Sequence, residues 1–187
     1  MTAHRRDAAA GRYGPVAILL HWLLAVLVLG QIGFGWYLQQ VPRNTPPRGL
    51  YVNLHKSTGM VIGLVILFRL FWRLTHRPPA LPAAIPPWER IAARANHYLL
   101  YACMLIMPLS GYTASNFSRF GVKLFNAVAL PPWGPDDHPV YAALNRVHVL
   151  TSWLFAVLIG LHVLAALRHI LRHDGIAARI RPGRSAP

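Results

Sequence analysis

The 187-residue chain is 55% hydrophobic and 13% charged, with a mean hydropathy of +0.36, which excludes an ordinary soluble domain. A net charge of +14 raises nucleic acid as a partner. The basic residues sit at the ends of apolar runs rather than on one polar surface, so the pattern points to a lipid bilayer and excludes nucleic acid. The single cysteine, Cys103, lies inside an apolar run and excludes an internal disulfide or a thiolate cluster, leaving a small core hydrophobe.

In chain order, residues 1–13 are polar and basic and are expected to be disordered until Pro15 opens a helix. A first span over about 16–38 is long enough to cross about 30 Å of hydrocarbon. It is too long for a signal-peptide core, and no small-residue cleavage site follows it. The basic connector VPRNTPPRG leads to a second span over about 54–74, which ends in Arg69, Arg73 and Arg77. The prolines of RPPALPAAIPPWER forbid a continuous helix there. A third span over about 95–114 contains Pro108, which predicts a kink. Residues 115–139 form a loop with Lys123, Trp133, Asp136 and Asp137, and a fourth span over about 140–170 is long enough to project past the bilayer. The expected fold is all-α: one integral membrane four-helix bundle over residues 1–187. Thirteen basic residues fall on the side of the termini against six on the other (Arg43, Arg48, Lys56, Arg119, Lys123 and Arg146), which predicts both termini in the cytoplasm.

Histidine is costly inside a membrane unless it is paired, ligated or hydrated. His148 and His162 are fourteen residues apart, so they share one helix face about 21 Å apart along the axis. His55 and His148 open the second and fourth spans near the outer face. His21 and His97 open the first and third, and His162 falls late in the fourth, all near the inner face. Imidazoles at two depths in a helical bundle read as two stacked metal centres, with haem the leading candidate. The outer pair is His55 with His148. The inner pair is His162 with either His21 or His97, and spacing does not choose.

Gly59 and Gly63 follow His55 on its face and predict the close approach of a flat ligand, against a plain helix–helix contact. Thr151, Ser152, Phe155 and Ile159 are placed between the two levels. Lys56, Arg69, Arg73 and Arg146 fall near the interfaces, where pairing with haem propionates competes with topology anchoring. His169, seven residues beyond His162, is placed to orient a quinone or a propionate, or to cap the bundle. His4, His76, His138 and His173 fall in loops or tails and are expected to be solvated. No acidic residue lies within a span, which argues against the ion pathway of a metal transporter.

Four blocks stand in a specific order: HW at His21–Trp22, NLHKSTG at Asn53–Gly59, NHYLLY at Asn96–Tyr101, and RVHVLTSWLFAVLIGLHVLAALRHIL at Arg146–Leu171. In them, over residues 12–182, the chain resembles the bacterial cytochrome b-561 family, small four-helix di-haem proteins of the inner membrane that include superoxide oxidases. The resemblance implies two haem b groups, with His21 and His162 holding the inner one and His55 and His148 the outer one. It leaves His97 as a non-ligand, in a quinone site with His169. It further implies electron transfer from superoxide on the outer side to ubiquinone, with Lys56 and Arg146, and also Arg119 and Lys123, supplying a positive field for the anion. Two axial imidazoles leave no open iron position, which favours electron transfer over oxygen binding. Similar subunits anchor formate dehydrogenases and hydrogenases. The rival reading is therefore a haem b anchor that passes electrons from a partner dehydrogenase, hydrogenase or other redox protein to quinone. The chain has no CxxCH motif, so covalent haem attachment is not expected.

Overall fold

Each long helix opens on a proline in its first turn, where a missing N–H costs nothing and the fixed φ suits the helix. The computed structural model describes residues 11–80 and 85–181. It shows four such helices: α1 (Pro15–Gln40), α2 (Pro46–Thr75), α3 (Pro87–Asn116) and α4 (His138–Leu171). The second and third begin well before residues 54 and 95, where the apolar runs start. Each Pro-rich connector is non-helical in its first part and supplies a helix start in its last residues, because proline breaks a helix only beyond its first turn.

α1, α2 and α4 are long and apolar enough to cross a membrane. α3 is as long as α2 but does not qualify on composition, because Asn96, His97 and the tyrosines 98, 101 and 112 dilute its apolar run. Its polar start is tied to the end of α4. Glu89, buried, accepts from Arg168 at 2.9 Å and Arg172 at 3.3 Å, and the Arg168 guanidinium lies 5.7 Å from the Trp88 ring centre.

The 115–139 segment is not all loop. It folds into a hairpin of β1 (Val122–Leu124) and antiparallel β2 (Val128–Leu130), a small departure from an all-α chain. Gly121 has φ +55, and a side chain there would meet the Leu130 carbonyl at 2.7 Å. The hairpin tip is fastened to α2 around His55. Phe125 N–H donates to the fully buried Ser57 hydroxyl at 2.7 Å, Asn53 donates to Asn126 at 3.0 Å, and Lys56 Nζ donates to the Gly121 carbonyl at 2.8 Å.

At the opposite end, residues 11–13 are held rather than free. Arg179, on a 3-10 turn (Ala177–Ile180), is buried and donates to the carbonyls of Gly11 at 2.6 Å, Pro79 at 2.8 Å and Ala80 at 3.0 Å. Tyr13 N–H donates to the Arg179 carbonyl at 3.1 Å, and Trp22 Nε1 to the Ile180 carbonyl at 2.9 Å. One arginine thus joins the chain before α1, the α2–α3 connection and the chain after α4.

The core between the two ends is made of Leu24, Val28 and Ile32 from α1, Ile62 and Ile66 from α2, Cys103 and Met104 from α3, and Phe155 and Leu158 from α4. Gly59 and Gly63 serve this packing rather than leaving open space for a flat ligand. Side chains there would meet Gln31 Nε2 and Pro108 Cβ, each at 3.2 Å. Gln31 also bridges α1 to α2, donating to the His55 carbonyl at 2.6 Å and accepting from Thr58 at 2.8 Å.

Candidate functional site: two histidine levels

A seven-residue step keeps a side chain on one face of a packed helix. Taken from His21, His55, His97 and His148, that step marks three layers through the bundle. The outer layer is Gly35, His55, Gly111 and His148. The central layer is Val28, Ile62, Met104 and Phe155, all buried in one cluster. The inner layer is His21, Arg69, His97 and His162. Each helix contributes one residue to each layer, so the two histidine levels are separated by a filled apolar septum.

In the outer layer the His55 and His148 rings lie 6.2 Å apart at 87°. The His148 Nδ1 is 2.9 Å from the Met107 carbonyl, which can only accept, so Nδ1 carries the proton and Nε2 is left with its lone pair. Ser110 Oγ lies 3.2 Å from the same nitrogen. His55 Nδ1 is buried with no hydrogen-bond partner. Each ring also rests on a glycine: a side chain at Gly35 would meet His55 at 3.0 Å, and one at Gly111 would meet His148 at 3.0 Å.

In the inner layer His162 lies 6.1 Å from His21, at 56°, and 5.4 Å from His97. Arg69 Nη2 is 3.5 Å from His21 Nδ1, and Arg73 Nη1 lies 3.4 Å from the Tyr13 hydroxyl. His97 is exposed, whereas His21, His55, His148 and His162 are half-buried.

Two imidazoles on opposite sides of one metal, with metal–nitrogen bonds of about 2 Å, have ring centres about 6 Å apart. Both His55–His148 and His21–His162 meet that separation, and the glycine seats and the free Nε2 of His148 fit the same use. The donor set therefore suits a bis-imidazole haem at each level. Among the described residues, no group of three or more His, Cys, Asp or Glu is arranged to hold a bare metal ion.

The other expected site residues are placed as follows. His169 Nδ1 pairs with Asp174 Oδ2 at 2.6 Å beyond the end of α4. Burial acts to raise the Asp174 carboxyl, but the hydrogen bonds from His169 and the Ile176 N–H outweigh it and hold the group below the usual carboxylate range. Lys56 is not a free surface charge, being fixed to the hairpin, while Arg146, Arg119 and Lys123 are exposed. His76, His138 and His173 are exposed, with His138 inside the first turn of α4 rather than in a loop; His4 lies outside the described residues. Gly35 and Gly111 were not singled out by their types. Counting fourteen residues on from His21 and His97 would have found both.

A family model described as prokaryotic cytochrome b561 matches residues 12–183. The chain is 28% identical to cytochrome b561 homolog 2 of Escherichia coli (strain K12) over 84% of each protein. It is 25% identical to the probable superoxide oxidase CybB of Yersinia pestis, covering 91% of this chain and 96% of that one. Against cytochrome b562 of Cereibacter sphaeroides the identity is 27%, with the same coverage of 91% and 96%.

Proposed function

From the premise that the chain belongs to the prokaryotic cytochrome b561 family, and so is a membrane electron carrier that binds b-type haem, we propose that it holds two haem b groups and passes electrons from superoxide to a membrane quinone. The observation that carries the reading is the pair of imidazole couples, 6.2 Å apart in the outer layer and 6.1 Å apart in the inner.

Haem supplies a one-electron couple at each level. His55 and His148 would hold the outer group, the Met107 carbonyl fixing the His148 tautomer that leaves Nε2 with a free lone pair. His21 and His162 hold the inner group. The septum of Val28, Ile62, Met104 and Phe155 keeps water from the space between the levels. On the outer side Arg146 and Lys56 supply a positive field that draws a small anion. On the inner side exposed His97 offers a hydrogen bond to a ubiquinone carbonyl, and the His169–Asp174 pair stands at the water interface where protons reach the quinone. The thirteen-to-six charge bias supports a bacterial inner membrane location with both termini in the cytoplasm.

The test is a reduced-minus-oxidised spectrum and a pyridine haemochrome count on purified protein, followed by stopped-flow mixing with superoxide and ubiquinone. Two low-spin haems per chain, reduced rapidly by superoxide and reoxidised by quinone, are expected. Two haems with no fast reduction by superoxide would instead favour an anchor fed by a partner dehydrogenase.

A further inference from the structure

The outer and inner layers treat their imidazoles differently. Both outer rings rest on glycine: an added Cβ at Gly35 would lie 3.0 Å from His55 Cε1, and one at Gly111 would lie 3.0 Å from both Cε1 and Nδ1 of His148. Contact with an imidazole ring is not a general property of glycines in these helices. Gly30 and Gly33 on α1 and Gly160 on α4 have nothing within 4 Å of an added Cβ. The inner layer has no such seat, since Arg69 and His97 stand fourteen residues from His55 and Gly111.

The ring planes differ too, at 87° for His55 and His148 against 56° for His21 and His162. His148 is constrained at three points of α3: the Gly111 backbone, the Met107 carbonyl and the Ser110 hydroxyl. Contact on the ring and a hydrogen bond at its edge together fix rotation about χ2, which sets the plane of the imidazole.

We propose that Gly35 and Gly111 are positioning residues that hold the two outer ligands perpendicular, making the outer haem a crossed bis-imidazole centre. This rests on the two-haem reading above. Ligand plane angle decides how the imidazole π orbitals mix with the iron d orbitals. Crossed planes leave two of those orbitals close in energy, and the ferric centre then gives a highly anisotropic low-spin EPR signal. The seats therefore act on the electronic structure of the iron as well as on packing. A side chain at either seat pushes one ring away and turns its plane.

The experiment compares unaltered protein with Gly35→Ala, Gly111→Ala and Gly33→Ala, using haem counts, ferric EPR and redox titration. The expected result is that the first two move the higher-g of two low-spin signals to lower g and shift the midpoint potential of that haem alone. Gly33→Ala, facing open space, should leave both signals in place. Loss of one haem in Gly111→Ala but not in Gly33→Ala also supports the seat. Ser110→Ala, a milder change at the same nitrogen, should move the same signal by less if Gly111→Ala does not accumulate. Two haems with both signals unmoved in the seat variants, or in Ser110→Ala, would overturn the proposal. Fewer than two haems in the unaltered protein would instead refute the two-haem reading.

Discussion

Replacing Arg179 with alanine removes a side chain that ties three separate segments together at the end of the bundle where residues 11–13 and 177–181 meet. Its guanidinium donates through Nε to Gly11 and through Nη2 to Pro79 and Ala80, while the side chain is buried. A hydrogen bond to a charged group contributes about 1.5–3 kcal/mol net. Two of the three bonds share one nitrogen, and water reaches the freed carbonyls once the side chain is gone. Two bonds at the lower end of the range give about 3 kcal/mol, or roughly a hundredfold in local opening. Hydrogen exchange read by mass spectrometry follows this directly, because the Tyr13 amide donates to the Arg179 carbonyl. Arg179→Ala should cost that amide roughly two decades of protection, while amides at the centres of α1 and α4 keep theirs. Arg179→Lys keeps the charge but not the planar fork and should restore only part of it. Unchanged protection of the Tyr13 and 177–181 amides in Arg179→Ala would refute the assignment of the clasp.

The remaining expectations concern the layers and the interfaces. His55→Ala or His148→Ala should remove the outer haem and His21→Ala or His162→Ala the inner one, by haem count and spectrum; if His97→Ala rather than His21→Ala empties the inner level, the α1 ligand is misassigned. Phe155→Ala opens the central septum and should cost about 3–5 kcal/mol, read as a lower unfolding midpoint of the purified protein. Neutralising Lys56 and Arg146 together should slow haem reduction by superoxide and flatten its ionic-strength dependence, since a screened field is already weak at high salt; equal salt slopes would remove them from steering. Asp174 is held below its usual range in the fold, so its contribution is present above about pH 4, the unfolded carboxylate value, and is lost as pH falls below it. Protection of the 172–181 amides should drop through that acid range, and Asp174→Asn should abolish the dependence.

The histidine levels were legible because ligand chemistry and helical spacing are both local to the sequence. His148 and His162 fix an interval on one helix, and the other imidazoles need only match it. The choice between His21 and His97 was not legible from spacing, because both start a span at the same depth; it came from the family resemblance, and both rings lie near His162 in the fold. Helix starts were not legible from the span starts for one physical reason: apolar runs report burial in lipid, whereas Pro46 and Pro87 open their helices in polar sequence ahead of those runs. The hairpin was missed because three-residue strands have no usable alternation, and its anchors on Asn53, Lys56 and Ser57 are more than sixty residues away in sequence. The role of Gly59 and Gly63 was misread for a related reason. A glycine in a helix signals close approach without saying what approaches, and here it is Gln31 and Pro108.

The three layers also constrain how such a chain can change its length over evolution. Every helix carries the same fourteen-residue interval between its outer and inner positions. A single residue inserted within that interval on one helix turns everything beyond it by about 100° and carries that helix's inner side chain off the shared face. Three other helices would still be in register, so the error has no partial remedy. The interval is therefore copied four times and must be edited four times together, in steps of seven. Connectors are under no such rule, and relatives of this chain are expected to differ in loop length, hairpin and termini while the fourteen-residue interval stays free of gaps.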